Sequence, residues 1–304
     1  MSDTGLNIVT GAFGYTGKYI AHRLLTRGIK VRTLTGHPDR TNPFGDRVET
    51  IPYNFQQPDK LAESLQGATT LFNTYWVRFP RGNVTYAKAV QNTRVLLTAA
   101  KQAGIQRIVH VSITNAAADS PLLYFRGKGQ LENDIVESGL SHAIIRPTLI
   151  FGAEDILINN IAWLLRRFPA FAVPGRGEYK LQPVFVEDLA ELAVNAAQNS
   201  ENMLVDAVGP ETYQFLELIN LIKNTIGSKS KIMHLPPRQA YYLSKLIGVA
   251  MGDVILTEDE VKGLMDNLLV SQHPPTCETR LSEWLEKNSH SVGASYASEL
   301  SRHY

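Results

Sequence analysis

Asn7-Ile8-Val9-Thr10-Gly11-Ala12-Phe13-Gly14-Tyr15-Thr16-Gly17 sets an apolar run, a turn with three glycines and the start of a helical pattern, Thr16 to Arg27, in that order. A glycine has no Cβ, so it permits a tight turn and lets backbone approach a pyrophosphate. The phosphate charge is then met by N–H groups and by the positive end of the following helix. Glycines also mark ordinary turns. The order strand, turn, helix within the first 30 residues is what points to a dinucleotide site here. Gly11, Phe13, Gly14, Tyr15, Thr16 and Gly17 are its expected phosphate-side residues, with a structural turn as the alternative. No Gly-Lys-Ser/Thr follows, which excludes a phosphate-loop ATPase.

Outward from this turn, short apolar runs alternate with amphipathic ones, the pattern of strand-helix-strand units and a parallel sheet. Strands are expected at Leu6–Thr10, Val31–Thr35, Val48–Tyr53, Thr70–Thr74, Arg107–Ser112, His142–Arg146 and Pro183–Val186. Between them, helices are expected at Thr16–Arg27, Pro58–Gln66, Val84–Gly104 and Leu123–Gly139, two of them closed by a glycine cap. After about residue 200 strand signals fade, and helical patches follow at Tyr213–Ile226, Arg238–Met251, Glu258–Leu268 and Arg280–Asn288. The expected fold is α/β: a Rossmann-type doubly wound parallel sheet in residues 1–150, with 181–200 returning to it. Residues 151–180 and 201–304 would form a smaller, mainly helical substrate region. No internal repeat or low-complexity segment interrupts this picture.

Composition narrows the class. The 304 residues are 44% hydrophobic, with 30 Lys+Arg against 29 Asp+Glu, a balance that offers nucleic acid no electrostatic attraction. The lone Cys277 excludes an internal disulfide framework and fits a reducing compartment. The apolar windows at Ala143–Gly152 and Leu243–Leu256 are short or interrupted by charge, so no membrane span is expected. The polar Met1–Gly5 lacks the character of a secretory leader, and the expected location is cytoplasmic. The eight histidines form no short-spaced ligand pair, so no metal is expected.

An NAD site usually carries Asp or Glu at the end of the second strand, where it accepts from the ribose 2′-hydroxyl. Here that strand ends in Gly36-His37, with Arg40 close behind and Asp39 late enough to be a turn residue. Without a carboxylate a 2′-phosphate is not repelled, and His37 or Arg40 would attract it. NADP is therefore expected, with NAD as the alternative and solvated loop charges as the plain reading of the two cations. Asn73, at the end of the fourth strand, joins the expected cofactor set. Tyr124 and Lys128 lie four apart on one helix face, close after the fifth strand, where a parallel sheet collects ligands. An ammonium beside a phenol favours the phenolate and brings its proton within reach of a carbonyl. Tyr241 and Lys245 share the spacing in the helical region, outside any nucleotide context, and are expected to pack. The loop Tyr75-Trp76-Val77-Arg78-Phe79-Pro80 would either close on a small-molecule substrate through Tyr75, Trp76 and Arg78 or anchor itself to the core. Arg166 and Arg167 read as a solvated helix face, and Cys277 as an ordinary loop residue.

The chain resembles the short-chain dehydrogenase/reductase superfamily in its extended, atypical branch. Besides the glycine turn and the Tyr124/Lys128 pair, the likeness rests on Asn92 within Ala89–Thr93, on Ile145-Arg146-Pro147-Thr148-Leu149-Ile150-Phe151-Gly152 and on Gln182–Asp188. Tyr124 to Glu132, Leu256 to Val261 and Asp266-Asn267 are similar to the NmrA-like relatives of the NADPH-binding accessory subunit of respiratory complex I. The resemblance implies that Tyr124 is the proton donor, that Lys128 binds the nicotinamide ribose and that Pro147 lies beside the nicotinamide. In the wider family a Ser or Thr polarises the substrate oxygen. This chain has Ile113 at that place, leaving Ser112 or Thr114 as substitutes. Two functions follow as expectations. One is NADPH-linked hydride transfer on a carbonyl compound, or an epimerase or dehydratase that recycles its cofactor. The other is a non-catalytic NADP(H)-binding structural or redox-sensing protein that engages a protein partner or its own copy.

Overall fold

The computed structural model describes residues 5–254, 257–298 and 300. Met1 to Thr4 and Leu256, quoted above, lie outside them. In chain order the first part comprises β1 (Leu6–Thr10), α1 (Tyr15–Thr26), β2 (Lys30–Thr35), β3 (Val48–Pro52), α2 (Pro58–Leu65), β4 (Ala68–Asn73), α3 (Tyr86–Gln102), β5 (Arg107–Val111), α4 (Leu123–Glu137) and β6 (Ser141–Pro147). There follow β7 (Leu149–Phe151), α5 (Leu157–Arg167), β8 (Ala170–Pro174), β9 (Lys180–Leu181), β10 (Pro183–Phe185), α6 (Val186–Gln198) and β11 (Met203–Ala207). The chain closes with β12 (Tyr213–Gln214), α7 (Phe215–Thr225), β13 (Lys231–Leu235), α8 (Pro237–Met251), α9 (Glu258–Met265) and α10 (Leu281–Asn288).

Residues 1–147 and 189–206 make one unit, residues 148–188 and 207–304 a second. The first is built on a seven-stranded sheet of order β11-β6-β5-β4-β1-β2-β3. The pairings from β3 to β6 are parallel. Parallel strands buried on both faces have no solvated side, which is why β5 reads Arg-Ile-Val-His-Val with all five residues buried. Ile8, Leu71, Ile108 and Ile144 on the strands and Leu61, Leu65, Leu96 and Ile135 on the helices share one core. The chain leaves β1 toward β2 and β3, then returns to start β4 on the other side of β1. The carboxyl ends of β1 and β4 therefore flank the topological switch point, where such sheets bind ligands.

In the second unit three short sheets, β10-β7, β12-β9 and β13-β8, frame a core of Phe151, Ile158, Leu165, Val173, Leu181, Leu218, Ile222 and Leu285. The four helical patches expected after residue 200 are α7 to α10, so that part is mainly helical, and the short strands β11, β12 and β13, which were not expected, accompany them. β12 has two residues, and β13 leaves Lys231, Met233 and His234 exposed with only Ile232 and Leu235 half-buried, so neither carries a buried apolar run. Pro183–Val186 does not enter the large sheet: Pro183–Phe185 pairs with β7. The return to the first unit is made instead by most of α6 and by β11.

Asp155 caps the start of α5 from inside the core. Its Oδ1 accepts from Ile158 N at 2.6 Å and its Oδ2 from Asn159 Nδ2 at 3.0 Å. Burial pushes this carboxyl up to about 7 despite the donors around it. The folded state then holds a proton that the unfolded chain releases near pH ~4. The stability this carboxyl contributes is thus fully present below pH ~4 and is lost as pH rises toward 7. In melting curves taken across that range, Asp155→Asn should remove this component of the slope. An unchanged slope would assign it elsewhere.

Candidate functional site

The glycine turn fits a close-approach role at each of its three glycines. Gly11 adopts φ +67°, a region that side chains disfavour, and its N–H donates to Leu34 O at 2.7 Å. Ala12 N donates to Thr33 Oγ1 at 3.0 Å, and that hydroxyl donates to Val9 O at 2.8 Å, so β2 fixes the turn. A Cβ on Gly17 would stand 2.3 Å from Gly11 O, which means that α1 can seat against the turn only with glycine there. Gly14 is the N-cap of α1, and no side chain caps this helix. An uncapped helix start with a glycine backbone in front of it matches an anion such as a pyrophosphate.

Across the switch point a buried polar row joins three strands. Thr10 Oγ1 donates to Asn73 Oδ1 at 3.1 Å, and Asn73 Nδ2 meets His110 Nδ1 at 3.0 Å. Burial and the charge of Lys128 hold His110 well below its usual range, so the imidazole is neutral. Thr10 Oγ1 also accepts from the N–H groups of Thr74 and Tyr75 at 2.8 and 3.0 Å, which fixes the chain as it leaves β4. Asn73 is fully buried in this row, so its place is in the support of the loop.

Beside the turn Tyr53 stacks on Phe55 at 4.7 Å, and both rings contact Tyr75 at 5.0 Å. The Tyr53 ring lies 3.8 Å from where a Cβ on Gly36 would be, and its hydroxyl 3.8 Å from one on Gly11. Asn92 Nδ2 donates to the Tyr75 hydroxyl at 2.8 Å. Tyr53, Asn54, Phe55, Gln57, Lys88 and Asn92 line a cavity of about 290 Å³ with an aromatic floor and amide walls. Such a pocket suits a flat heterocycle with polar edges. Tyr53 and Phe55 were missed because one closed a predicted strand and the other sat in a loop.

Tyr124 and Lys128 share a face of α4, and Trp76 lies between them. Its indole meets Tyr124 edge-on at 5.7 Å and stacks on Tyr86 at 5.8 Å. Lys128 Nζ sits 4.8 Å from the Trp76 ring and donates to Val111 O at 2.7 Å. A Cβ on Gly127 would come within 2.7 Å of the indole, so this glycine makes room for it. Burial lowers the Lys128 ammonium to about 7, against the opposing pull of Glu132. In the loop, Tyr75 and Trp76 thus pack on neighbouring rings, and the Arg78 carbonyl accepts from the Tyr86 hydroxyl at 2.8 Å.

Ser112 and Thr114 have their hydroxyl protons committed inward. Ser112 Oγ donates to Glu132 Oε1, which Arg146 Nε also approaches at 2.9 Å, and Arg146 Nη2 pairs with Oε2. Thr114 Oγ1 donates to Arg146 O at 2.9 Å. Neither proton is directed to a substrate oxygen, because the forked Glu132–Arg146 pair and the strand-end carbonyl take them. Glu132 was not singled out from the sequence. Its only signal was the four-residue step from Lys128. Pro147 ends β6, buried, with its carbonyl accepting from Thr114 N at 2.9 Å.

The remaining candidates fall outside this cluster. His37 and Arg40 stand in the turn after β2, with Arg40 N donating to His37 O at 3.2 Å. Lys245 lies over the Tyr241 ring at 5.1 Å in the second unit. Burial pushes the Cys277 thiol up to about 11, far from a reactive thiolate. Among the described residues no group of three or more His, Cys, Asp or Glu side chains is placed to hold a metal ion.

Residues 11–155 match a family model described as NAD(P)H-binding. Mitochondrial NADH dehydrogenase (ubiquinone) 1 alpha subcomplex subunit 9 of Arabidopsis thaliana is 24% identical over 285 residues, covering 87% of this chain and 71% of its own. A 4-hydroxy-2-methyl-3-oxo-4-farnesyl-3,4-dihydroquinoline-1-oxide ketoreductase of Stigmatella aurantiaca is 27% identical over 263 residues, 75% of each chain. Among solved structures, an Escherichia coli NADPH-dependent quinone oxidoreductase complexed with NADPH superposes with TM-score 0.75 at 19% identity, over 93% of this chain and 99% of that one. A Staphylococcus aureus nucleoside-diphosphate-sugar epimerase gives 0.72 at 16% identity, over 93% and 99%. Residues 11–155 are thus an NAD(P)H-binding domain, and the chain has homologues among complex I subunit 9 proteins and reductases.

Proposed function

We propose that this chain is an NADPH-linked oxidoreductase that reduces a carbonyl-type small molecule in the cytoplasm, with Tyr124 as acid-base residue and Lys128 as its electrostatic partner. The observation that carries this reading is the placement of a phenol and a desolvated amine on one face of α4, around Trp76. A bound nicotinamide supplies the hydride. The glycine turn and the start of α1 hold the pyrophosphate, and the Tyr53/Phe55 cavity takes the adenine. His37 and Arg40 meet a 2′-phosphate. Tyr124 delivers the proton, and the charge of Lys128 stabilises the phenolate left behind. The buried Glu132–Arg146 pair keeps α4 and β6 in register, and with them Tyr124, Lys128 and Pro147. An epimerase or dehydratase would use the same phenol and amine.

A second reading, a non-catalytic NADP(H)-binding protein with a protein partner or a second copy of itself, is favoured by two features. The Ser112 and Thr114 protons are spent inside the fold, and the indole of Trp76 fills the corner between Tyr124 and Lys128. Turnover decides between the two. A carbonyl panel followed by NADPH absorbance should yield a substrate for the enzyme. A broad panel that leaves NADPH unoxidised would favour the binder.

Cofactor choice has its own test. A ligand that binds only the folded state stabilises it by about 2.7 kcal/mol at ~100 times its Kd. NADPH should therefore raise the melting temperature more than equimolar NADH, and His37→Ala with Arg40→Ala should shrink the gap. A larger shift with NADH would overturn the 2′-phosphate assignment.

A further inference from the structure

Lys128 is only 3% exposed, although the proposed chemistry asks its ammonium to act beside a bound reactant. Its Nζ donates to Val111 O at 2.7 Å and lies 4.8 Å from the Trp76 ring. His110 and Glu132 also act on its charge. Val111 and His110 belong to β5 and Glu132 to α4, whereas Trp76 hangs from the loop between β4 and α3. Of these neighbours the indole is therefore the removable one. The same burial holds the ammonium down at about 7, so the covered lysine is only partly charged near neutral pH.

The loop fixes the base of Trp76 and leaves its side chain weakly held. Before it, Tyr75 N donates to Thr10 Oγ1 at 3.0 Å; after it, Arg78 O accepts from the Tyr86 hydroxyl at 2.8 Å. Arg81 and Val84 then exchange backbone bonds at 2.9 and 3.0 Å. Trp76 and Val77 lie between the first two ties, so the indole can turn while the loop stays closed. It stacks on Tyr86 at an interplanar angle of 10° and meets Tyr124 edge-on. Those ring contacts and the ammonium are what retain it. Its Nε1–H is buried and finds no acceptor among the described residues. An indole nitrogen can only donate, and a buried donor left unmade costs stability. Turning toward water restores that hydrogen bond to the indole and restores solvation to Lys128.

We propose that Trp76 is a gate over Lys128, turned out of its slot by the nicotinamide end of an arriving dinucleotide. This rests on the assignment of Tyr124 and Lys128 to the hydride-transfer site. The adenine half binds at the glycine turn and the Tyr53/Phe55 cavity with the gate still closed. Only the nicotinamide half competes with the indole, and the charge that Tyr124 needs returns to Lys128 as the cover leaves.

The test is fluorine NMR of the full chain carrying 5-fluorotryptophan at its three tryptophans. Trp163 and Trp284 lie in the second unit, and Trp76→Phe, which keeps a ring in the stack, identifies the Trp76 resonance. NADP+ should shift that resonance and increase its sensitivity to exchange of H2O for D2O. Adenosine 2′,5′-bisphosphate, which carries no nicotinamide, should raise the melting temperature and leave the resonance in place. A gate closed in ~90% of molecules weakens apparent affinity ~10-fold, so Trp76→Ala should bind NADP+ about 10-fold more tightly and the bisphosphate as before. The gate is overturned if NADP+ raises the melting temperature while the Trp76 resonance keeps its position and solvent sensitivity. It is equally overturned if the bisphosphate moves the resonance as NADP+ does, or if Trp76→Ala binds NADP+ no more tightly than the parent. No melting shift with NADP+ or NADPH would instead overturn the cofactor assignment on which the gate rests.

Discussion

Gly17→Val should strongly destabilise the first unit, whereas Gly14→Val should leave it folded and unable to respond to NADPH. At position 17 the new Cβ meets backbone, Gly11 O at 2.3 Å and Gly11 C at 2.8 Å, and neither atom can swing away. α1 must lift off β1, at a cost at or above the ~1–3 kcal/mol of ordinary overpacking, a large part of a domain's total stability. At position 14 the backbone has φ −82° and ψ 174°, an extended conformation open to valine, and its Cβ would sit 3.2 Å from Gly11 O. That contact requires only a small adjustment, yet the branched side chain stands where a phosphate must approach the helix start. Melting temperatures with and without NADPH separate the two outcomes. Normal NADPH stabilisation in Gly14→Val would place the pyrophosphate elsewhere.

Tyr124→Phe should lower turnover by ~10²–10⁴-fold with little change in NADPH affinity or stability. Phenylalanine keeps the edge contacts with Trp76 and Tyr86, at 5.7 and 5.8 Å, and loses only the hydroxyl. Lys128→Met gives the complementary signature. Lys128 titrates at about 7 in the folded protein and near ~10.4 in an unfolded chain. Between those values the unfolded state binds more protons, so stability rises with pH across that window; at lower pH the buried ammonium is a liability. The methionine variant should lose that rise and also lose turnover. A substrate turned over at the parental kcat by Tyr124→Phe would exclude the phenol as proton donor.

The parts legible in the sequence were those governed by short-range rules. The glycine turn, β1 to β6 and the helices between them follow from turn chemistry and from strands apolar on both faces. Fully buried β5 and the glycine-capped α3 and α4 are examples. What stayed hidden depends on side chains brought together from distant positions. Glu132 and Arg146 are 14 residues apart in the chain, and nothing local shows that Ser112 joins them. Tyr53 reads as the end of a strand, and its position against Gly11 and Gly36 exists only once three strand ends are adjacent. The second unit was the least legible because two- and three-residue strands such as β9, β12 and β7 pair without a periodic pattern.

The seventh strand has a consequence for how the polypeptide is made. β11 is the outermost strand beside β6, and it is synthesised only after residues 148–188 of the other unit have emerged. Until then the nascent chain presents β6, whose His142 to Ile145 are all buried in the finished protein, as an open edge of unpaired backbone groups. A fragment ending at Pro147 would carry that edge permanently. It would be expected to self-associate through it, so any dissection of this protein into separately expressed pieces has to keep residues 189–206 with the first piece.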